Sequence, residues 1–291
     1  MKIVDLYNSK KTVLSLEIFP PKPDSSLESI FQTIDALKDL RPDYMSVTYG
    51  AGGKAKGRTV EIASRIKKDY GIESLAHLTC IASTKDELNE IFRELKANNI
   101  ENILALRGDI PENPDFDFPN PLQYRYACDL IREIRLHDEF CIGAACYPEG
   151  HVDCDSRITD IKYLKQKERE GAEFMISQLF FDNELFYRFM EEIDLADVKA
   201  PVSAGIMPVL NKKQVLRITQ LSGCNLPPKF RRIIDRYENN PEALKEAGEA
   251  YAIEQIIDLM AFGVRGIHLY TMNKPDTARR IINNIENIRK L

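Results

Sequence analysis

Short apolar runs of strand length recur along the chain, beginning near Val13, Tyr44, Ser74, Asn102, Cys141, Phe174, Val202 and Gly266. Between them, apolar positions return every three or four residues, as on one face of a helix. Runs that stay apolar without alternating suit strands covered on both sides, and a helix after each strand supplies the crossover that a parallel sheet needs. The pattern predicts an α/β fold, a (β/α)8 TIM barrel. The last interval is far longer than the others, so extra helices are expected before the eighth strand.

Local signals agree with this alternation. Ser25 with Glu28, and Thr84 with Glu87, have the spacing of capping boxes at helix starts. Gly71, Gly171 and Gly263 stand shortly before strands, where a left-handed helix end favours a residue without Cβ. Pro20, Pro21 and Pro23 follow the first strand, and the proline-rich stretch Pro111–Pro121 follows the fourth, on the side where barrel loops lengthen into sites. Pro227 and Pro228 break the helix after the seventh strand, and Phe230–Tyr237 restarts it. No linker divides the chain, so residues 1–291 are expected to form a single catalytic domain.

Composition narrows the partners more than the fold. The chain has 291 residues, 44% of them hydrophobic, enough for one barrel of commonly about 250 residues. A net charge of −5 argues against a nucleic-acid or membrane-surface protein. Its six cysteines form no CxxC pair, so neither a zinc site nor a disulfide framework is expected. Without a leader or a spanning segment in the sequence, a cytoplasmic protein is expected.

Polar residues gather where the strands end. They are Glu17, Thr48 and Tyr49, His77 and Thr79, Asp109, Tyr147 and Glu149, Gln178, and Tyr270 with Asn273. Singly each has an ordinary explanation: His77 as a core histidine, Asp109 as a turn residue, Gln178 as a partner for buried backbone, the tyrosines as rim packing. Their coincidence at one end of a barrel points to a site.

The motifs that carry these residues are LEIFPPK (Leu16–Lys22), SVTYGAGG (Ser46–Gly53), HLTC (His77–Cys80), ALRGD (Ala105–Asp109), YPEGH (Tyr147–His151), QLFFD (Gln178–Asp182) and HLYTMN (His268–Asn273). In sequence and order the chain resembles the methylenetetrahydrofolate reductase family over nearly its whole length. The resemblance implies a barrel that binds FAD without a GxGxxG fingerprint. Its reaction would carry hydride from NADH, or NADPH, through the flavin to 5,10-methylenetetrahydrofolate, giving 5-methyltetrahydrofolate by ping-pong kinetics. A C-terminal regulatory domain like that of eukaryotic members is not expected here.

By the same resemblance, Glu17 is the general acid that opens the folate imidazolidine ring, so its carboxyl must carry a proton when folate is bound. Asp109 would lie between flavin and pterin and tune both. Flavin contacts are implied for Tyr49, Ala51, His77, Arg107, Gly108, Asp109, Ala127, Tyr147, His151, Asp160 and Lys167. Thr48 would place the nicotinamide, and Gln178, Gln214 and Lys274 the folate.

Some positions depart from the family. Tyr163 and Gln166 stand where some bacterial members carry Asn and Arg, Cys154 replaces a small residue, and Lys274 stands in place of an Arg whose fork it cannot reproduce. The alternatives kept open are another flavin barrel, similar to proline dehydrogenase, and a flavin- or folate-binding subunit of an electron-transfer complex. A homo-oligomer and a protein electron donor are further expectations.

Overall fold

A computed structural model describes residues 1–21, 25–49, 56–110, 118–137 and 140–290. Lys22 and Pro23, the Gly50–Gly53 segment with Ala51, and Pro111–Asp117 lie outside the described residues. Eight strands, β1 (Val13–Ile18), β2 (Tyr44–Val47), β3 (Glu73–Thr79), β4 (Asn102–Leu106), β5 (Cys141–Cys146), β6 (Phe174–Ser177), β7 (Val202–Ile206) and β8 (Gly266–Tyr270), form a closed barrel in sequence order. Every pairing is parallel, and β8 closes onto β1. The expected TIM barrel is therefore present.

Around it run α1 (Ile3–Ser9), α2 (Glu28–Leu37), α3 (Lys56–Tyr70), α4 (Lys85–Ala97), α5 (Ala127–Arg135), α6 (Arg157–Glu170), α7 (Asn183–Leu195), α8 (Lys212–Ser222), α9 (Pro228–Tyr237), α10 (Pro241–Phe262) and α11 (Pro275–Arg289). The extra helices before the eighth strand are α9 and α10. With α8 they bury a separate cluster that includes Val209, Val215, Phe230, Ile234 and Leu244.

The third strand begins at Glu73, beside the expected Ser74; Glu73 is buried and its Oε1 lies 3.1 Å from Lys67 Nζ. One local expectation needs correction. The Ser25–Glu28 capping box does not form; Leu27 holds the cap position and Ser26 Oγ accepts the Glu28 N–H at 3.1 Å. The Thr84–Glu87 box does form, with both reciprocal bonds made. Gly71, Gly171 and Gly263 adopt φ of +65°, +126° and +93°, as helix exits require.

Strand alternation sorts the core into two layers. Leu14, Leu16 and Ile18 of β1, like Met45, Val47, Ile103 and Ala105, pack outward beneath the helices. Val13, Tyr44, Leu75, Leu104, Cys141, Phe174 and Ile176 point inward, where Ile3, Leu6 and Tyr7 of α1 meet them. Gly143 is small because a Cβ there would lie 2.5 Å from the Phe174 ring. Each fully buried side chain of this kind contributes roughly 1.5–3 kcal/mol. Asn102 Oδ1 accepts the Ile3 N–H at 2.8 Å, and the Tyr7 and Ser203 hydroxyls lie 2.7 Å apart. The first helix thereby stoppers the N-terminal end of the barrel, leaving the polar strand tips at the other end.

Candidate active site

The sequence VLSLEI of β1 turns Ser15 and Glu17 into the barrel by the same alternation that sends its leucines out. The register with β8 sets Ser15 beside His268 and Glu17 beside Tyr270. Glu17 is 5% exposed, and its Oε2 lies 3.1 Å from His268 Nε2 and 3.5 Å from His77 Nε2 of β3. The other nitrogen of His268, Nδ1, lies 2.7 Å from Ser15 Oγ. Burial pushes the His77 imidazole down to about 4, against a smaller opposing pull from Glu17, and its Nε2 has no hydrogen-bond partner. One carboxyl thus faces two imidazoles inside the barrel.

Tyr270 closes one side of this group. Its hydroxyl donates to the Ser177 carbonyl at 2.9 Å, and its ring crosses Gly205, where a Cβ would stand 2.9 Å from it. Burial, then Glu17, raise its phenol well above the usual range. Beyond β8, Thr271 Oγ1 donates to the Glu17 carbonyl at 2.6 Å. Asn273 accepts the Phe19 N–H at 3.0 Å and donates to the Phe19 carbonyl at 2.8 Å. Met272 and Asn273 hold φ of 50° and 54°, a conformation that costs a residue with a side chain roughly 1–2 kcal/mol.

A second group lies around the tips of β4 and β5. Gly108 has φ +87° and a Cβ there would meet Thr79 at 2.7 Å, so the ALRGD tip turns sharply and leaves Asp109 exposed. Arg107 Nη1 pairs with the exposed Asp153 at 2.9 Å. Tyr147 packs edge-on to His151 with ring centroids 4.6 Å apart, and burial raises its phenol to about 12, with Asp160, Arg107 and Asp109 all acting on it. Lys167 Nζ lies 5.6 Å from the Tyr147 ring centroid and donates to the Ala145 carbonyl at 2.8 Å. Burial lowers the Lys167 ammonium and raises the Asp160 carboxyl, while each partly offsets the other. Buried Ala127 opens α5, whose first turn presents backbone N–H groups. Arg107, Lys167 and the N-terminus of α5, with Asp153 and Asp160 beside the two cations, give this group donors of the kind that suit an anionic group such as a diphosphate.

The remaining sequence candidates are scattered around these two groups. Thr48 is half-buried beyond the end of β2, its carbonyl accepting from Thr59. The Tyr49 side chain packs against the outer core and its buried hydroxyl feels Glu87 and Glu94, so it faces α4 and not the barrel interior. Gln178 folds its Oε1 onto the Leu179 N–H at 2.9 Å. Gln214 sits in the first turn of α8 and Lys274 is exposed at the start of α11. Glu149 grips Asn225, accepting its backbone N–H at 3.0 Å and its amide at 2.6 Å. Tyr163 is exposed. Sequence reasoning missed Ser15 and His268, although the alternation that makes Glu17 and Tyr270 inward-facing puts both of them on the same wall.

Among the described residues, no cluster of His, Cys, Asp and Glu could hold a metal ion, and no helix is long and apolar enough to cross a membrane. The six cysteines are free.

The chain as a whole has known relatives. The profile of the family described as methylenetetrahydrofolate reductase matches residues 2–286. The chain is 34% identical over 272 residues to 5,10-methylenetetrahydrofolate reductase of Escherichia coli, covering 94% of this chain and 90% of that one. It is 33% identical over 300 residues to methylenetetrahydrofolate reductase (NADH) 1 of Arabidopsis thaliana, covering 98% of this chain and 51% of the plant protein. The chain thus spans about half the length of its plant relatives. A solved structure of an uncharacterized Clostridium thermocellum protein that binds two copies of 5-methyl-5,6,7,8-tetrahydrofolic acid has the same fold, with TM-score 0.68 at 15% identity, covering 100% of this chain and 99% of that one.

Proposed function

The chain belongs to the methylenetetrahydrofolate reductase family, and from that premise we propose that its barrel mouth reduces 5,10-methylenetetrahydrofolate to 5-methyltetrahydrofolate with a flavin and a reduced nicotinamide. In this reading residues 1–291 act as one catalytic barrel. The observation that carries it is the buried carboxyl of Glu17 facing His77 and His268. Opening the imidazolidine ring needs a proton on the departing nitrogen, and a carboxyl shielded from bulk water beside two imidazoles can hold and deliver one.

FAD fits the second group. Lys167, Arg107, His151 and the N-terminus of α5 would hold its diphosphate, and Tyr147 would pack beside it. When bound, the flavin supplies hydride acceptance from the nicotinamide and hydride donation to the folate. Asp109, exposed at the β4 tip, would favour the cationic iminium that follows ring opening. Gln178 and Gln214 would turn their amides to the pterin, Thr48 would place the nicotinamide, and Lys274 would meet the folate carboxylates. His77, which burial keeps neutral at physiological pH, offers a hydrogen bond without adding a charge.

The test is the visible spectrum of the protein under anaerobic conditions, before and after NADH and then methylenetetrahydrofolate. Flavin bands that bleach with NADH and return with the folate are the expected result, and alternation of the two half-reactions is the ping-pong signature. Bleaching with no return would overturn the folate assignment. Bands that NADPH or a protein donor bleaches while NADH leaves them untouched would overturn NADH as donor.

A further inference from the structure

Asn273 reads in the sequence as a polar residue at a strand tip, available to a ligand. Its geometry gives it other work. Both polar atoms of its side chain are committed to one residue, Oδ1 accepting the Phe19 N–H at 3.0 Å and Nδ2 donating to the Phe19 carbonyl at 2.8 Å. This pair of bonds copies the edge of a strand and extends the β1–β8 pairing past Glu17, where regular pairing ends. Two residues earlier, Thr271, 1% exposed, donates its hydroxyl to the Glu17 carbonyl at 2.6 Å and accepts the Asn273 N–H at 3.2 Å.

We propose that Asn273 and Thr271 are positioning residues that lock the β1 tip and so hold the Glu17 carboxyl against its imidazole partners for proton delivery. The inference rests on the reading of Glu17 as the general acid. The consecutive left-handed residues Met272 and Asn273 support it: backbone in this region persists only where surrounding bonds over-determine it, and here three of those bonds end on Glu17 or Phe19. Glu17 itself is faced by His77 from β3 and by His268 and Tyr270 from β8. The Glu17 carbonyl is held by Thr271, and the main chain of Phe19, two residues on, by Asn273. Both ends of the amide are thereby anchored to the β1 backbone, which fixes its direction.

The experiment compares Asn273→Ala, Thr271→Val and Thr271→Ser with Glu17→Gln in the flavin-loaded protein. In Asn273→Ala and Thr271→Val the reaction of NADH with the flavin should stay within about twofold of the unsubstituted protein. The rate constant for folate reduction should fall roughly tenfold or more, with folate affinity within about threefold and with a shifted pH profile. Thr271→Ser, which keeps the hydroxyl, should restore the rate. Amide exchange at Phe19 should accelerate in Asn273→Ala whether or not flavin is bound. Weaker folate binding at an unchanged rate constant would make Asn273 a ligand and overturn the proposal; so would equal loss of both half-reactions, or Thr271→Ser behaving as Thr271→Val. If Glu17→Gln keeps folate reduction, the reading of Glu17 fails and the inference with it. If Glu17→Gln loses it and Asn273→Ala does not, only the inference fails.

Discussion

Glu17 Oε2 lies 3.1 Å from Nε2 of His268, whose Nδ1 lies 2.7 Å from Ser15 Oγ. A neutral imidazole carries one proton on two nitrogens, so these contacts are linked. If Ser15 donates to Nδ1, then Nε2–H donates to a Glu17 carboxylate; if Nδ1–H donates to Ser15, Glu17 must itself donate to Nε2 as a neutral acid. Ser15 therefore influences which partner holds the proton, from the far side of the ring.

Replacing Glu17 by Gln keeps the shape of the site and removes the proposed acid. Stopped-flow spectroscopy should find flavin reduction by NADH within about twofold of the unsubstituted protein and folate reduction slowed by 10²-fold or more, the range of general acid catalysis. Equal losses in both half-reactions would count against the role.

Ser15→Ala leaves Nδ1 of His268 without its partner. Flavin content should be unchanged, while the pH profile of the folate half-reaction shifts and its rate falls roughly tenfold. A profile that superimposes on that of the unsubstituted protein would detach Ser15 from the proton inventory.

His77 links the site to acid stability. Burial lowers its imidazole from 6.5 to about 4, so between those values the unfolded chain binds a proton that the folded one does not. Stability must therefore fall as pH drops from about 6.5 towards 4, by a few kcal/mol at most from this group. Urea midpoints measured across that window should decline, and His77→Gln should decline less steeply.

Lys167→Met keeps the unbranched stem of the side chain and removes the buried ammonium near Asp160 and Tyr147. The protein should fold and bind FAD at least about tenfold more weakly, as titration of flavin fluorescence would measure. Unchanged affinity would place the diphosphate elsewhere.

How far the sequence could be read depended on whether one residue carried one signal. The strand starts at Val13, Tyr44, Asn102, Cys141, Phe174, Val202 and Gly266 fall where the apolar runs begin, because strands covered on both faces have little else to be made of. The third run, expected near Ser74, starts one residue earlier at the paired carboxylate Glu73. The Ser25–Glu28 box failed because two adjacent serines compete for the same helix start and Ser26 reaches the Glu28 amide. At the site, the motifs marked Glu17 and His77, and the resemblance Lys167, but neither gave a direction for side chains. Tyr49 faces outward, Asn273 is spent on Phe19, and His268, concealed within an apolar strand, is the group in contact with Glu17.

The stopper formed by α1 has a kinetic meaning. With Ile3, Leu6 and Tyr7 filling the N-terminal end, the interior wall that carries Glu17 is approached from the opposite side. Arrival and departure then share one doorway, and a product still in the berth keeps the next molecule waiting outside. In the proposed reaction, that shared doorway makes the departure of one reactant a condition for the arrival of the next.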